Sequence, residues 1–166
     1  MRSRCEGLIM LSIRNRAFTF IEVMVVVVIL GVLAAIVVPQ FGGVTDQAKT
    51  AATEGGLGGV RAAIAGYRAK QLLAGNPPYP TLEALTTAGT VMQTAMPVNP
   101  WNGKSGVQAV SQSQGEARAV FAPDQYGWNY FVDNESSPPR ATFYANSTHV
   151  TTVPNEAGGF KTANEL

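Results

Sequence analysis

Phe18 to Val38 reads FTFIEVMVVVVILGVLAAIVV, and the fold turns on how that stretch is read. Of its 21 residues only Thr19 and Glu22 are polar or charged, and from Val23 to Val38 nothing is polar. As a helix it spans about 31 Å, the thickness of a bilayer's hydrocarbon core. Val and Ile dominate, which favours strand, but the run far exceeds an ordinary strand of about 5–6 residues. In lipid the backbone must bond within its own segment, so the stretch is predicted to be a transmembrane helix. The rival is a secretory signal peptide, with an apolar region of about 7–15 residues and a small-residue cleavage site after it. This run is longer, and its one small pair, Ala34-Ala35, is followed by Ile36-Val37-Val38-Pro39.

Charge gives the run a direction. Arg2, Arg4, Arg14 and Arg16 face only Glu6 in residues 1–17, whereas the rest of the chain is net negative within an overall formal charge of +1. The basic end is expected to stay cytoplasmic while the remainder crosses outward. A charge near zero gives no general attraction to nucleic acid, and none is expected as a partner. The only cysteine is Cys5, so an intramolecular disulfide and a Cys-based zinc site are both excluded. The length is a prior for one domain, with about 110–130 residues left for a soluble part.

Beyond the run, Val44, Ala48, Ala51, Leu57, Val60, Ile64 and Tyr67 recur at helical spacings and predict an amphipathic helix from Phe41 to Ala74. Pro39 is expected to kink the join, while Gly42-Gly43, Gly55-Gly56 and Gly58-Gly59 weaken the helix and allow close helix approach. Gly75-Asn76-Pro77-Pro78 ends it, and Thr81 is read as the N-cap of a short helix over 81–85. Residues 97–116 read as loop. Arg118–Ala122, Tyr126–Val132, Ala141–Ala145 and Thr148–Val153 read as strands, with Trp128, Tyr130 and Val132 alternating against Asn129, Phe131 and Asp133.

The chemistry sits in Arg16-Ala17-Phe18-Thr19-Phe20-Ile21-Glu22. A carboxylate inside a membrane span costs a few kcal/mol unless it is paired. A cut before Phe18 would create an α-ammonium at the helix start, and Glu22 of one subunit would pair with that ammonium on a neighbour. The alternative is that Glu22 snorkels to the interface beside the positive end of the helix dipole.

This heptad, followed by the apolar run to Pro39, resembles the N-terminal segment of type IV pilins and type II secretion pseudopilins. The resemblance implies a basic leader removed by a prepilin peptidase between Ala17 and Phe18, and N-methylation of Phe18 by the same enzyme. It implies Glu22 as the acidic residue required for assembly, and Gly31 and Pro39 as positions where the helix bends. The family normally has Gly where this chain has Ala17. Leu8-Ile9-Met10-Leu11 is unusually apolar for a leader, and a start at Met10 is expected. Tyr79-Pro80-Thr81, Pro97-Val98-Asn99-Pro100-Trp101-Asn102-Gly103 and Tyr126-Gly127-Trp128-Asn129-Tyr130 are similar to later segments of major pseudopilins, with Asn102-Gly103 in reversed order.

The expected architecture is α+β and pilin-like: a long kinked helix, its first half transmembrane, packed on a small antiparallel sheet. Residues 1–17 form the cleaved leader, 18–39 the transmembrane and assembly helix, 40–75 the amphipathic second half of the stem, and 76–166 the extracytoplasmic loop and sheet. Expected partners are copies of the chain in a helical filament, the prepilin peptidase, an inner-membrane assembly platform, other pseudopilins or minor pilins, and lipid before assembly. The expected location is the cytoplasmic membrane, single-pass, and then a periplasmic or surface filament. A membrane-anchored binding module is the other class of reading, and a true pilin for adhesion, motility or DNA uptake the nearer one.

No catalytic set is expected. His149 is the only histidine and is read as a solvated strand residue, and Gly55-Gly56-Leu57-Gly58-Gly59 lacks the Lys-Ser/Thr of a P-loop. No cofactor is expected. Major pseudopilins often hold calcium in an outer loop, and Asp124, Asp133, Asn134 and Glu135 offer oxygen ligands, but their spacing matches no such loop and a solvated turn is the preferred reading.

Overall fold

The computed structural model of the chain describes residues 18–38 and 40–166; Ala17, the leader and Pro39, with the cut side and the bend expected there, lie outside the described residues. The chain divides after Phe41 into two compact units.

The first unit carries helix α1 (Phe20–Val37). Thr19 is its N-cap, in extended conformation, with Oγ1 accepting from Glu22 N at 3.3 Å. No α1 residue is buried, and Gly31 lies within the helix with open space where a side chain would be. Its mean hydropathy over 18 residues is 3.0, and it is the one membrane-span candidate among the described residues.

The second unit is built on helix α2 (Gln40–Leu73), within one residue of the expected bounds. Its buried stripe is Thr50, Thr53, Leu57, Val60 and Ile64. The C-terminal half matches the expected pattern, but Val44, Ala48 and Ala51 are exposed and two threonines take their place. Burial of a hydroxyl is tolerated when it is bonded. Thr50 and Thr53 each donate to the carbonyl four residues back, both at 2.8 Å, and Thr50 Oγ1 also accepts from Thr152 N.

Against this stripe packs a three-stranded sheet in the order β1 (Val107–Ala109), β2 (Trp128–Asp133), β3 (Arg140–Ala145). The antiparallel hairpin β2–β3 pairs Trp128 with Ala145 and Asp133 with Arg140. β1 adds in parallel, Val107 opposite Trp128, so the sheet is mixed. One face presents Trp128, Tyr130, Phe143 and Ala145 to Leu57, Val60 and Ile64. Trp128 stacks on Phe143 with ring centroids 5.4 Å apart. Both polar tips are satisfied, Trp128 Nε1 on Pro97 O at 2.7 Å and the Tyr130 hydroxyl on Pro80 O at 2.9 Å.

The other face of β2 is buried too: Asn129 is fully covered and Phe131 nearly so. The alternation read from the sequence is that of a half-buried strand, with one face covered. The cover is helix α4 (Gln112–Glu116) and the arch that follows it to β2. Both β1 and α4 lie in the segment read as loop. Conversely Arg118–Ala122 is no strand: Arg118 and Ala122 both have φ of +47°, in the left-handed region, so the chain turns sharply at each end. Helix α3 (Leu82–Thr86) starts at Thr81 as expected, with Thr81 Oγ1 accepting from Ala84 N. A separate ribbon, β4 (Val150–Pro154) with β5 (Phe160–Thr162), is antiparallel and bulged.

Candidate assembly site at the start of the apolar helix

Phe18 and Thr19 precede α1 in extended backbone, and Thr19-Phe20-Ile21-Glu22 has the Thr-x-x-Glu spacing of a capping box. Only half of the box forms. Thr19 receives Glu22 N, but among the described residues the Glu22 carboxylate has no hydrogen-bond or ion-pair partner. It sits in the first turn, where the helix dipole favours an anion. The side chains around it are Phe18, Phe20 and Ile21, which are 81%, 80% and 71% exposed. The result is an apolar rod carrying one unpaired carboxylate near its end. The sequence signal for Thr19 as N-cap is the Thr-x-x-Glu spacing itself.

The outward face of α2 is the second surface without a partner. Ala48, Ala52, Gly55, Gly59, Ala62, Gly66 and Ala69 repeat at steps of four and three and are all exposed. A side chain added at Gly55, Gly59 or Gly66 would meet nothing within 4 Å.

Beside these surfaces the described residues form a further concave feature. A cavity of about 410 Å³ beside α2 is lined by Arg61, Arg68 and Arg118 with Tyr79 and Tyr130, and no carboxylate, histidine or cysteine lines it. Its arginines act as braces. Arg61 donates to Phe143 O and Leu166 O, and Arg118 reaches Leu166 O at 3.1 Å. Burial, and secondarily Arg118, lower the Arg61 pKa, while burial pushes the Tyr130 phenol well up. His149 lies just before β4 rather than on it, exposed and stacked on Trp101 at 5.4 Å, with Lys49 also over that ring.

The four oxygen donors considered for calcium do not form one set. Asp133 accepts from Glu135 N and Ser136 N, both at 3.0 Å, and Asn134 is tied through its amide to both the N–H and the carbonyl of Tyr79. Asp124 lies before β2 and Asp133 at its far end. Among the described residues no group of three or more His, Cys, Asp or Glu side chains is placed to hold a metal.

Comparison with known proteins adds several relatives and a motif. Residues 13–38 match the prokaryotic N-terminal methylation motif. The type II secretion system core protein G of Klebsiella michiganensis is 32% identical over 128 residues, covering 68% of this chain and 85% of that protein. Its counterpart in Pseudomonas aeruginosa is 49% identical over 55 residues, covering 33% of this chain and 39% of the relative. The type IV narrow pilus major component PilA5 of Thermus thermophilus is 46% identical over 52 residues, covering 31% of this chain and 45% of the relative. No solved structure matches.

Proposed function

We propose that this chain, which belongs to the family of the type II secretion system core protein G, is a pseudopilin: a membrane-anchored subunit that assembles through its N-terminal helix into a filament serving protein secretion. The observation that carries the reading is α1, an apolar helix with no buried residue and one unpaired carboxylate, lying within the methylation motif. Each large aliphatic side chain left in water forgoes about 1.5–3 kcal/mol. A helix of this kind therefore needs lipid or copies of itself.

The prepilin peptidase cuts between Ala17 and Phe18 and methylates the new amine. Methylation keeps that amine basic, so an N-methylated Phe18 remains a cation at neutral pH. Before assembly α1 spans the cytoplasmic membrane once, leader side inward, with the second unit outside. On extraction by the assembly platform, lateral contact with neighbouring α1 helices replaces lipid. The Phe18 ammonium of one subunit then pairs with Glu22 of the next. In a dry helical bundle the unpaired carboxylate would be costly, so the pair fixes the axial register of the subunits. Minor pseudopilins join by the same segment. The family is one of structural subunits, and the chain acts by assembly rather than by catalysis.

The match to PilA5 supports a second reading, a type IV pilin whose filament works at the cell surface. Deleting the chromosomal copy separates the two. Loss of secreted proteins with surface pili intact supports the secretion filament. Loss of surface pili with secretion intact supports the pilin.

A further inference from the structure

The arch between α4 and β2 turns its carbonyl oxygens inward, as an oxygen cage for calcium would, and a calcium loop in this outer region is what the family resemblance implies. We infer that in this chain side-chain amide hydrogens close the arch in place of a cation, so that the second unit holds its shape without calcium.

Four amides do this. Asn146 Nδ2 donates to Phe121 O at 2.7 Å and to Tyr126 O at 2.9 Å. Asn102 Nδ2 lies 2.9 Å from Pro123 O and 3.0 Å from Tyr126 O. Gln108 Nε2 donates to Phe121 O and Asn129 Oδ1, and Asn129 Nδ2 to Ala119 O and Asn146 Oδ1. Asn129 and Asn146 are fully buried.

Backbone donors fix the orientation of these amides. Phe121 N donates to Asn146 Oδ1 at 3.0 Å, and Lys104 N to Asn102 Oδ1 at 3.1 Å. The nitrogen end of each must therefore face the arch. From Asn146 the assignment passes through Asn129 to Gln108.

A carbonyl oxygen has two lone pairs. Those of Phe121 O are taken by Gln108 and Asn146, and those of Tyr126 O by Asn102 and Asn146. Ala122 O likewise accepts from Gln125 N and Tyr126 N. The carbonyls best placed to ligate a cation are already filled. The only acidic residue between Ala117 and Tyr126 is Asp124, which is exposed. Calcium sites recruit several carboxylates, and the arch has a neutral amide core where they would stand.

The test uses the full chain in detergent, melted with millimolar calcium chloride and again with excess chelator, the near-ultraviolet signal of Trp101 and Trp128 reporting. A ligand that binds only the folded state raises the midpoint. The expected midpoints coincide, and a lower one in chelator overturns the inference. Asn146→Asp sets an oxygen against Phe121 O and Tyr126 O and is expected to lower the midpoint in both conditions. Asn102→Asp, at the rim, gives the same reading if Asn146→Asp does not fold. A wild-type midpoint in either folded variant would equally overturn the amide assignment. The outcome holds whether or not the chain assembles.

Discussion

Gly127 sits at the crossing of three segments. A Cβ there would overlap Lys104 O, and Gly127 O accepts from Asn99 Nδ2 at 2.8 Å and from Asn146 N at 2.9 Å. Gly127→Ala must push the Lys104 turn away and disturb both bonds. We expect a loss of about 3 kcal/mol in a urea melt, at the upper end for overpacking. Gly115 is a milder case, since an added Cβ would lie 2.8 Å from Phe131 Cβ. At Asp133 the Ser136 and Glu135 N–H groups hold the carboxyl below its usual range, the former contributing more. The folded chain thus binds that proton less tightly than the unfolded one, whose value is about 3.9. The stability it contributes is complete above that value and is lost as pH falls through the lower folded one. Glu165, held down by Thr162 N, acts in the same direction. Glu165 is exposed and Asp133 partly so, and solvent screening keeps the effect small. The thermal midpoint is expected to be level from pH 7 to about 5 and to fall below about 4, less steeply in Asp133→Asn.

At the scale of elements, α2 divides its two faces by residue size. Its inward stripe fills the core, and its outward face from Ala48 to Ala69 is Ala and Gly throughout. Such a face lets a second helix backbone approach closely. Ala62→Leu adds bulk there without touching the core. Its folded stability is expected to stay within about 0.5 kcal/mol of the parent, as for most surface changes. Filament yield, counted by electron microscopy, is expected to fall; unchanged filaments would remove this face from the assembly. Both helices were legible in the sequence, because runs of 18 and 34 residues give periodicity room to show. β1 and β5, three residues each, are too short for alternation to register. α4 was readable in principle, since Ser111 and Gln114 form a capping box, but its polar composition reads as loop. The expected strand at Arg118–Ala122 fails for a tertiary reason. Its carbonyls are held by side-chain amides from residues 108, 129, 146 and 164, which no local window contains.

At the scale of the molecule, one unit carries the anchor and the other a sheet sandwiched between α2 and the arch. The candidate site was more legible than the second unit, because the apolar run, the carboxylate within it and the basic residues before it are contiguous in sequence. The buried amide cluster was not legible, because it forms only when distant segments meet. Glu22→Ala is expected to leave membrane insertion and cleavage intact and to reduce filaments at least about tenfold, from the loss of a desolvated charge pair worth 1.4 kcal/mol or more. Wild-type filament counts in that variant would refute the pairing. The central claim, a precursor cut ahead of one apolar helix so that its new amine can enter an assembly, is tested most directly by the intact mass of the protein extracted from membranes. The account predicts the mass of Phe18 to the C-terminus plus one methyl group. A mass that retains residues N-terminal to Phe18 would contradict it.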